Sequence, residues 1–317
     1  MQILASLSGI ILSLLLAPLL PGIINRVKAF MGGRKGRPLL QLYYDLRRLI
    51  GKSPVYPSVT TWFFRAAPVS CASVSLMALV LLPFGHSRAL LAFPGDFVLL
   101  AGLFCLARFS LLLAALDTGS AFEGMGAARE ALFSALAEPI FLFCLFILCQ
   151  QSQQFSLSVL AADADLWEEG DWMPRLMLAF SLFLLLLSEN SRIPVDDPNT
   201  HLELTMIHEV MILDHSGPDL AFLEYAAALK LWVFSLLIVG VLLPGSLGLS
   251  QEYGGYFSLA GMFFNWVLTL AAVFGMGVLT GFVESLMARL RMERIPQFLA
   301  MAGAFASLAA LTLWGRA

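Results

Sequence analysis

Runs of about 20 apolar residues, the length that crosses a lipid hydrocarbon layer as a helix, recur eight times along this chain and leave little sequence for a soluble core. They fall near 3–25, 62–83, 96–116, 129–150, 173–189, 226–245, 257–283 and 296–314. Of the 317 residues, 59% are hydrophobic and only 13% charged, against roughly 25% charged in a soluble domain. The expected fold is all-α: one membrane domain over residues 1–317, a bundle of eight transmembrane helices. The run from Ile3 to Leu20 has no basic segment before it and no small-residue cleavage pattern before Pro21, so it reads as a retained span.

With a net charge of -3, the positions of the charges carry more information than their sum. If the N-terminus lies outside, the inner segments hold 14 basic residues and the outer ones three, Arg88, Arg175 and Arg316. Short cytoplasmic loops collect Lys and Arg, so both termini are expected to face the periplasm of a cytoplasmic (inner) membrane. The acidic segment with Asp163, Asp165, Glu168, Glu169 and Asp171 then lies outside.

Between the first two spans, Leu39, Leu42, Tyr43, Leu46, Leu49 and Ile50 recur at helical spacing, with Gln41, Asp45, Arg47, Arg48 and Lys52 on the other faces. The pattern predicts an amphipathic surface helix, either a plain interfacial anchor or the wall of a cavity. The inner loop 190–225 sets Asp196, Asp197, Glu203, Glu209, Asp214, Asp219 and Glu224 against Arg192 alone. Pro198 offers a helix start, and a helix through Ile212 would align His201, Thr205, His208 and Ile212. Without HExxH or a nearby cysteine, the two histidines read as interface residues rather than metal ligands. Cys71, Cys105, Cys144 and Cys149 all fall in apolar runs without CxxC spacing and read as buried free thiols. No ligand set for an iron–sulfur cluster or haem is legible.

An ionisable group within the hydrocarbon costs about 2.5–3.5 kcal/mol on insertion scales and needs a partner. Arg108 and Glu138, on antiparallel neighbouring spans, lie at a similar depth of roughly 13 Å at 1.5 Å per residue and are expected to pair. Lys230, placed near the start of the sixth span, and Glu284, at the inner end of the seventh, could snorkel to the surface. Asp117, Glu123, Arg129 and Glu130 crowd a short loop beside Gly119, Gly124 and Gly126. With loop 190–225 they suggest a continuous carboxylate strip from the surface into the membrane, suited to a proton path or charge-coupled switch.

These residues also carry a family resemblance. Arg34-Lys35-Gly36-Arg37-Pro38 followed by Leu39-Leu40-Gln41-Leu42-Tyr43-Tyr44-Asp45-Leu46, then Leu116-Asp117-Thr118-Gly119-Ser120-Ala121-Phe122, Gly126-Ala127-Ala128-Arg129-Glu130 and Ala137-Glu138-Pro139 resemble the superfamily of respiratory-chain complex I subunit 1. The longest motif is Arg192-Ile193-Pro194-Val195-Asp196-Asp197-Pro198 running into Thr200 to Glu209. The resemblance covers essentially the whole chain and is greatest to the energy-converting nickel–iron hydrogenase branch, the hydrogenase-4 component C and formate hydrogenlyase membrane subunits. The complex I segment of the form PFD, ExExEL and EYS is matched loosely: Asp196 or Asp197 stands for its aspartate, Asp214-His215-Ser216 for its ending, and the glutamates thin to Glu203 and Glu209. That departure favours the hydrogenase branch over the quinone-binding one.

The resemblance implies a membrane anchor and coupling subunit with no redox centre of its own. Iron–sulfur clusters and the nickel–iron centre would lie on hydrophilic partner subunits, with antiporter-like membrane subunits alongside. It implies a proton path or coupling role for Arg108, Asp117, Glu130, Glu138, Asp196, Asp197, Glu203, Glu209, Asp214 and Lys230. Arg34, Arg37, Gln41, Asp45, Arg47, Arg48, His201 and His208 are the candidates for partner docking. Two other functions compete: a quinone-site subunit of a respiratory enzyme, and a stand-alone secondary transporter, which the absence of a second copy of either loop motif disfavours.

Overall fold

The structure is a computed structural model that describes residues 2–85, 87–151, 155–157, 160, 172–196, 206–243 and 259–315. Asp197, His201, Glu203, the outer acidic segment 161–171 and the proposed helix start at Pro198 lie outside the described residues.

The described residues form α-helices in chain order: α1 (Gln2–Leu16), α2 (Leu19–Met31), α3 (Gln41–Ile50), α4 (Trp62–Leu81), α5 (Asp96–Asp117), α6 (Ala121–Gln151), α7 (Trp172–Glu189), the single turn α8 (His208–Met211), α9 (Pro218–Leu242), α10 (Leu259–Leu286) and, after a 3-10 turn at Met292–Arg294, α11 (Ile295–Trp314). Seven of these are long and apolar enough to cross a membrane, and α1 with α2 makes an eighth span bent by 44°. The chain is therefore an all-α polytopic membrane bundle.

α9 lies at the centre, packed against α4, α7, α10 and α3. It is apolar on every side, as a helix enclosed by others must be, and Trp232, Val233, Phe234 and Leu237 are fully buried. Phe234 meets Phe104 of α5 and Phe141 of α6 with ring centroids 5.6 and 5.0 Å apart. The remaining pairings, α4 with α5, α7 with α11 and α2 with α10, close the bundle around it.

The bend in the first span has a chemical cause. Pro18 has no N–H for the carbonyl of Leu14, and Tyr225 Oη of α9 donates to that oxygen at 3.0 Å instead. Tyr43 Oη of α3 donates to the neighbouring carbonyl of Leu15. Backbone oxygens freed within a membrane must find such partners. The chain after α2 then folds back along it: a Cβ on Gly22 would lie 2.2 Å from the Leu39 carbonyl oxygen, so only glycine admits this approach. The amphipathic helix α3 is thus tied to the first span and to α9, with none of its residues fully buried.

Two expected boundaries shift. The fourth span begins at Ala121 rather than 129, so Glu123, Arg129 and Glu130 are helical rather than in a loop, and Glu123 is buried. The sixth begins at Pro218, because Gly217 at φ +58° turns the chain and Pro218 starts the helix, a position where its missing N–H costs nothing. Lys230 is consequently mid-helix. Cys105 is exposed, whereas Cys71, Cys144 and Cys149 are buried as expected.

Candidate functional site: a buried charge cluster beneath two adjoining cavities

Arg108 projects from the middle of α5 and is 7% exposed. Its Nε lies 3.1 Å from Glu130 Oε1, and its two terminal nitrogens reach Glu138 and Glu189. The expected pairing with Glu138 is present, but it is one of three. Lys230 Nζ, from α9, lies 2.8 Å from Glu189 Oε2 and donates to the Glu189 carbonyl at 2.7 Å, so the lysine is paired inside the bundle and does not snorkel. Glu189 joins the two cations and is the most buried of the three carboxylates, with its side chain 4% exposed against 19% for Glu130 and 35% for Glu138.

Glu189 reaches this depth because α7 has only 18 residues, about 27 Å at 1.5 Å per residue, short of a ~30 Å hydrocarbon layer. The segment after it, from Asn190 to Arg192, therefore enters the bundle as irregular backbone. Such backbone is tolerated at membrane depth where it lines a polar cavity, and here it lines two. The inner one, about 90 Å³, is bordered by Arg108, Glu130, Glu189, Lys230, Cys71 and Phe104. The outer one, about 260 Å³, is bordered by Arg37, Gln41, Asp45, Glu209, Glu224 and Arg192. Asn190, Ser191, His208 and Ala227 belong to both walls. Asn190 Nδ2 donates to the Leu186 carbonyl at 2.9 Å while its Oδ1 is buried with no hydrogen-bond partner among the described residues.

The candidate carboxylates thus separate into those that face Arg108 or the outer cavity and those that anchor the chain. Glu130, Glu138 and Glu189 surround Arg108, and Asp45, Glu209 and Glu224 face the outer cavity. Asp117 instead accepts from Thr61 N at 2.6 Å and Thr61 Oγ1 at 2.9 Å, fixing the start of α4. Asp196 meets Arg289 Nη2 at 3.0 Å and accepts from the backbone N–H groups of Ile207 and His208 at 3.0 and 3.3 Å, tying the loop before α8. Asp214 contributes its N–H to Glu123 Oε1 at 3.2 Å and lines neither cavity. The continuous strip is therefore corrected to two groups, joined through Asn190, Ser191 and His208. Glu284 does not reach the surface either: it is buried between Lys28 Nζ at 2.8 Å and Arg192 Nη1 at 3.6 Å.

Among the docking candidates, Arg34, Arg37, Arg47 and Arg48 are exposed, and Gln41 Nε2 donates to Asp45 Oδ1 at 3.0 Å on the face toward the outer cavity. Glu189 and Glu224 are site residues that sequence reasoning misses. Glu189 closes an apolar run and looks like its polar end, although the shortness of that run is a usable signal; Glu224 looks like loop unless α9 is known to start at Pro218. His215, outside the membrane helices, is 3% exposed and stacks on Phe64 with centroids 4.0 Å apart; burial pushes its pKa down to about 4. Among the described residues, no group of three or more His, Cys, Asp or Glu side chains converges at metal-binding distance.

The sequence is 29% identical to formate hydrogenlyase subunit 4 of Escherichia coli, over 94% of both chains. It is 30% identical to hydrogenase-4 component C of the same organism, over 90% of this chain and 87% of that one, and 30% identical to NADH-ubiquinone oxidoreductase chain 1 of Triticum aestivum, over 73% and 74%. In fold it matches a chain in the solved structure of the membrane-bound sulfane sulfur reductase, an archaeal respiratory membrane complex, with a TM-score of 0.80 at 17% identity over 98% of this chain and 99% of that one. The NADH dehydrogenase family model matches residues 4–315, and the chain belongs to that family.

Proposed function

We propose that this chain is a membrane coupling subunit of an energy-converting redox complex of the formate hydrogenlyase or hydrogenase-4 type. What carries the reading is the path from the outer cavity, with Asp45, Glu209 and Glu224, through the shared wall at His208 and Asn190 to Arg108, Glu130, Glu189 and Lys230. The similarity to formate hydrogenlyase subunit 4 and hydrogenase-4 component C supports the class of complex. The redox centres lie on hydrophilic partner subunits, and this chain supplies no cluster or metal ligands. Both termini are periplasmic, and α3 with the loop 190–217 faces the cytoplasm.

In this reading the hydrophilic arm docks over the outer cavity, on Arg34, Arg37, Arg47, Arg48, His201 and His208. A change of charge or shape at that mouth acts on the carboxylates in the cavity wall. Their field reaches Glu189 across the shared wall of the two cavities, where charges enclosed by the bundle interact more strongly than in bulk water. Displacement of Glu189 then shifts both cations bonded to it, moving charge toward Glu138 and antiporter-like membrane subunits beyond. Asp197 and Glu203 belong to the same mouth by their place in the sequence.

The test is isolation of the complex from membranes in mild detergent through a tag on this chain. Co-purification of an iron–sulfur, nickel-containing arm and its loss on charge reversal of Arg34 and Arg37 together are the expected results; an arm retained by that variant would place the dock elsewhere. Replacing Glu189 by Gln should then leave redox turnover with artificial acceptors while lowering ion movement per turnover at least tenfold. Full ion movement in that variant would remove the cluster from the coupling path.

A further inference from the structure

Two cations, Arg108 and Lys230, face three carboxylates, Glu130, Glu138 and Glu189, so the cluster carries one uncompensated negative charge. The charge opens in one direction. Glu138 is the carboxylate whose side chain is 35% exposed, and it opens sideways, at the eighteenth of the 31 residues of α6, where a bilayer is all hydrocarbon. Its ion pair with Arg108 compensates it only in part, because that guanidinium is shared among three carboxylates, so Glu138 still bears part of the insertion cost. The face around it is shaped for close approach. A Cβ on Gly102 of α5 would meet nothing within 4 Å, and Cys105 of α5 and Ala131, Ala135 and Leu142, which share the Glu138 side of α6, are all exposed.

We infer that the α5–α6 face around Glu138 is the seat of a transmembrane helix from another subunit that presents a lysine or arginine to Glu138. The inference rests on the coupling-subunit reading and adds the chemistry of the neighbour and the place where it sits. A cation supplied there neutralises the cluster as a whole, three positive against three negative charges. It also makes assembly a condition for a stable charge state: without the neighbour, Glu138 is half of an unbalanced network facing lipid. The open surface at Gly102 lets the partner backbone come close, as small residues do wherever membrane helices pack.

The experiment places a photo-activatable phenylalanine at Leu142, one turn from Glu138 on the same side of α6, in the full chain and irradiates the complete complex in native membranes. The expected adduct joins Leu142 to a peptide of another subunit whose apolar run contains Lys or Arg. Neutralising that basic residue, or Glu138→Gln alone, should each lower recovery of the neighbour at least tenfold, and the two changes together should restore most of it. Adducts to lipid only, a neighbouring run without a basic residue, or losses that simply multiply in the double variant would each overturn the inference. With other subunits co-purifying, those outcomes leave the coupling-subunit reading standing. A tagged chain that purifies with no partner at all overturns both.

Discussion

The charge cluster around Arg108 and the one around Glu284 are built from the same residue types and differ in balance and surroundings. At the inner rim, Glu284 and Asp196 sit among Lys28, Arg192 and Arg289, a surplus of positive charge whose cations are 13–21% exposed. Those side chains can rehydrate at little cost if a partner is lost. Around Arg108 the surplus is negative, the central guanidinium is 6% exposed, and a cavity adjoins it. The rim cluster fastens loop 190–196 to α2 and α10. The inner cluster is centred on a guanidinium with little solvent contact and holds more carboxylates than cations, which suits a switch better than a fastening.

The comparison breaks most sharply at Arg108. Arg108→Gln would leave three carboxylates converging without their central cation, and losing one partner of a buried ion pair costs on the order of 3–5 kcal/mol. Adding Glu138→Gln should recover only part of this, because Glu130 and Glu189 still face each other; adding Glu189→Gln should recover more. Thermal denaturation of the purified complex checks the order, and full recovery by Glu138→Gln would reduce the cluster to the simple pair that the sequence suggests.

Glu284→Gln should cost less, about 1.5–3 kcal/mol, the range for hydrogen bonds to charged groups, since Lys28 and Arg192 regain water. The expected signature is lower thermal stability with ion movement per turnover unchanged. A coupling defect equal to that of Glu189→Gln would erase the distinction between the two clusters.

The bend between α1 and α2 offers an intermediate case, where backbone rather than charge is satisfied. Tyr225→Phe leaves the part-buried Leu14 carbonyl without its donor, a loss of about 0.5–1.5 kcal/mol, the net worth of one hydrogen bond. Faster hydrogen exchange confined to residues around Pro18 should report it, and unchanged exchange there would show that the bend does not depend on the tyrosine.

The smallest effect lies outside both clusters, at His215. Its folded pKa of about 4 is below the ordinary 6.5, so the unfolded chain binds the proton more readily and stability rises with pH. The contribution is fully present above pH 6.5 and is lost as pH falls from there toward 4. Between pH 7 and 5.5 the loss is about 1 kcal/mol by linkage. His215→Phe should flatten that part of the stability profile; an unaltered slope would show that His215 does not titrate in this range.

How much of this is legible in the sequence follows from the physics of each feature. Apolar runs of bilayer length are local, so the all-helical bundle and the amphipathic α3 can be read residue by residue. The meeting of Arg108 with Glu138 is accessible from depth alone, because helices rise by a constant step and neighbours are antiparallel. Glu189 and Glu224 are not accessible in that way. Their roles depend on a short α7 drawing its own end into the bundle, of which hydropathy shows only the shortness, and on α9 starting eight residues earlier than its apolar run, which hydropathy does not show.

Local composition dictates what each segment needs: lipid around the apolar runs and a partner for every ion within them. Only the tertiary structure decided which partners meet those needs. A charge in hydrocarbon must be compensated within hydrogen-bond reach, so bringing α5, α6, α7 and α9 together made Asp117 and Asp196 anchors, Glu189 the bridge between two cations, and Glu138 the carboxylate left facing outward.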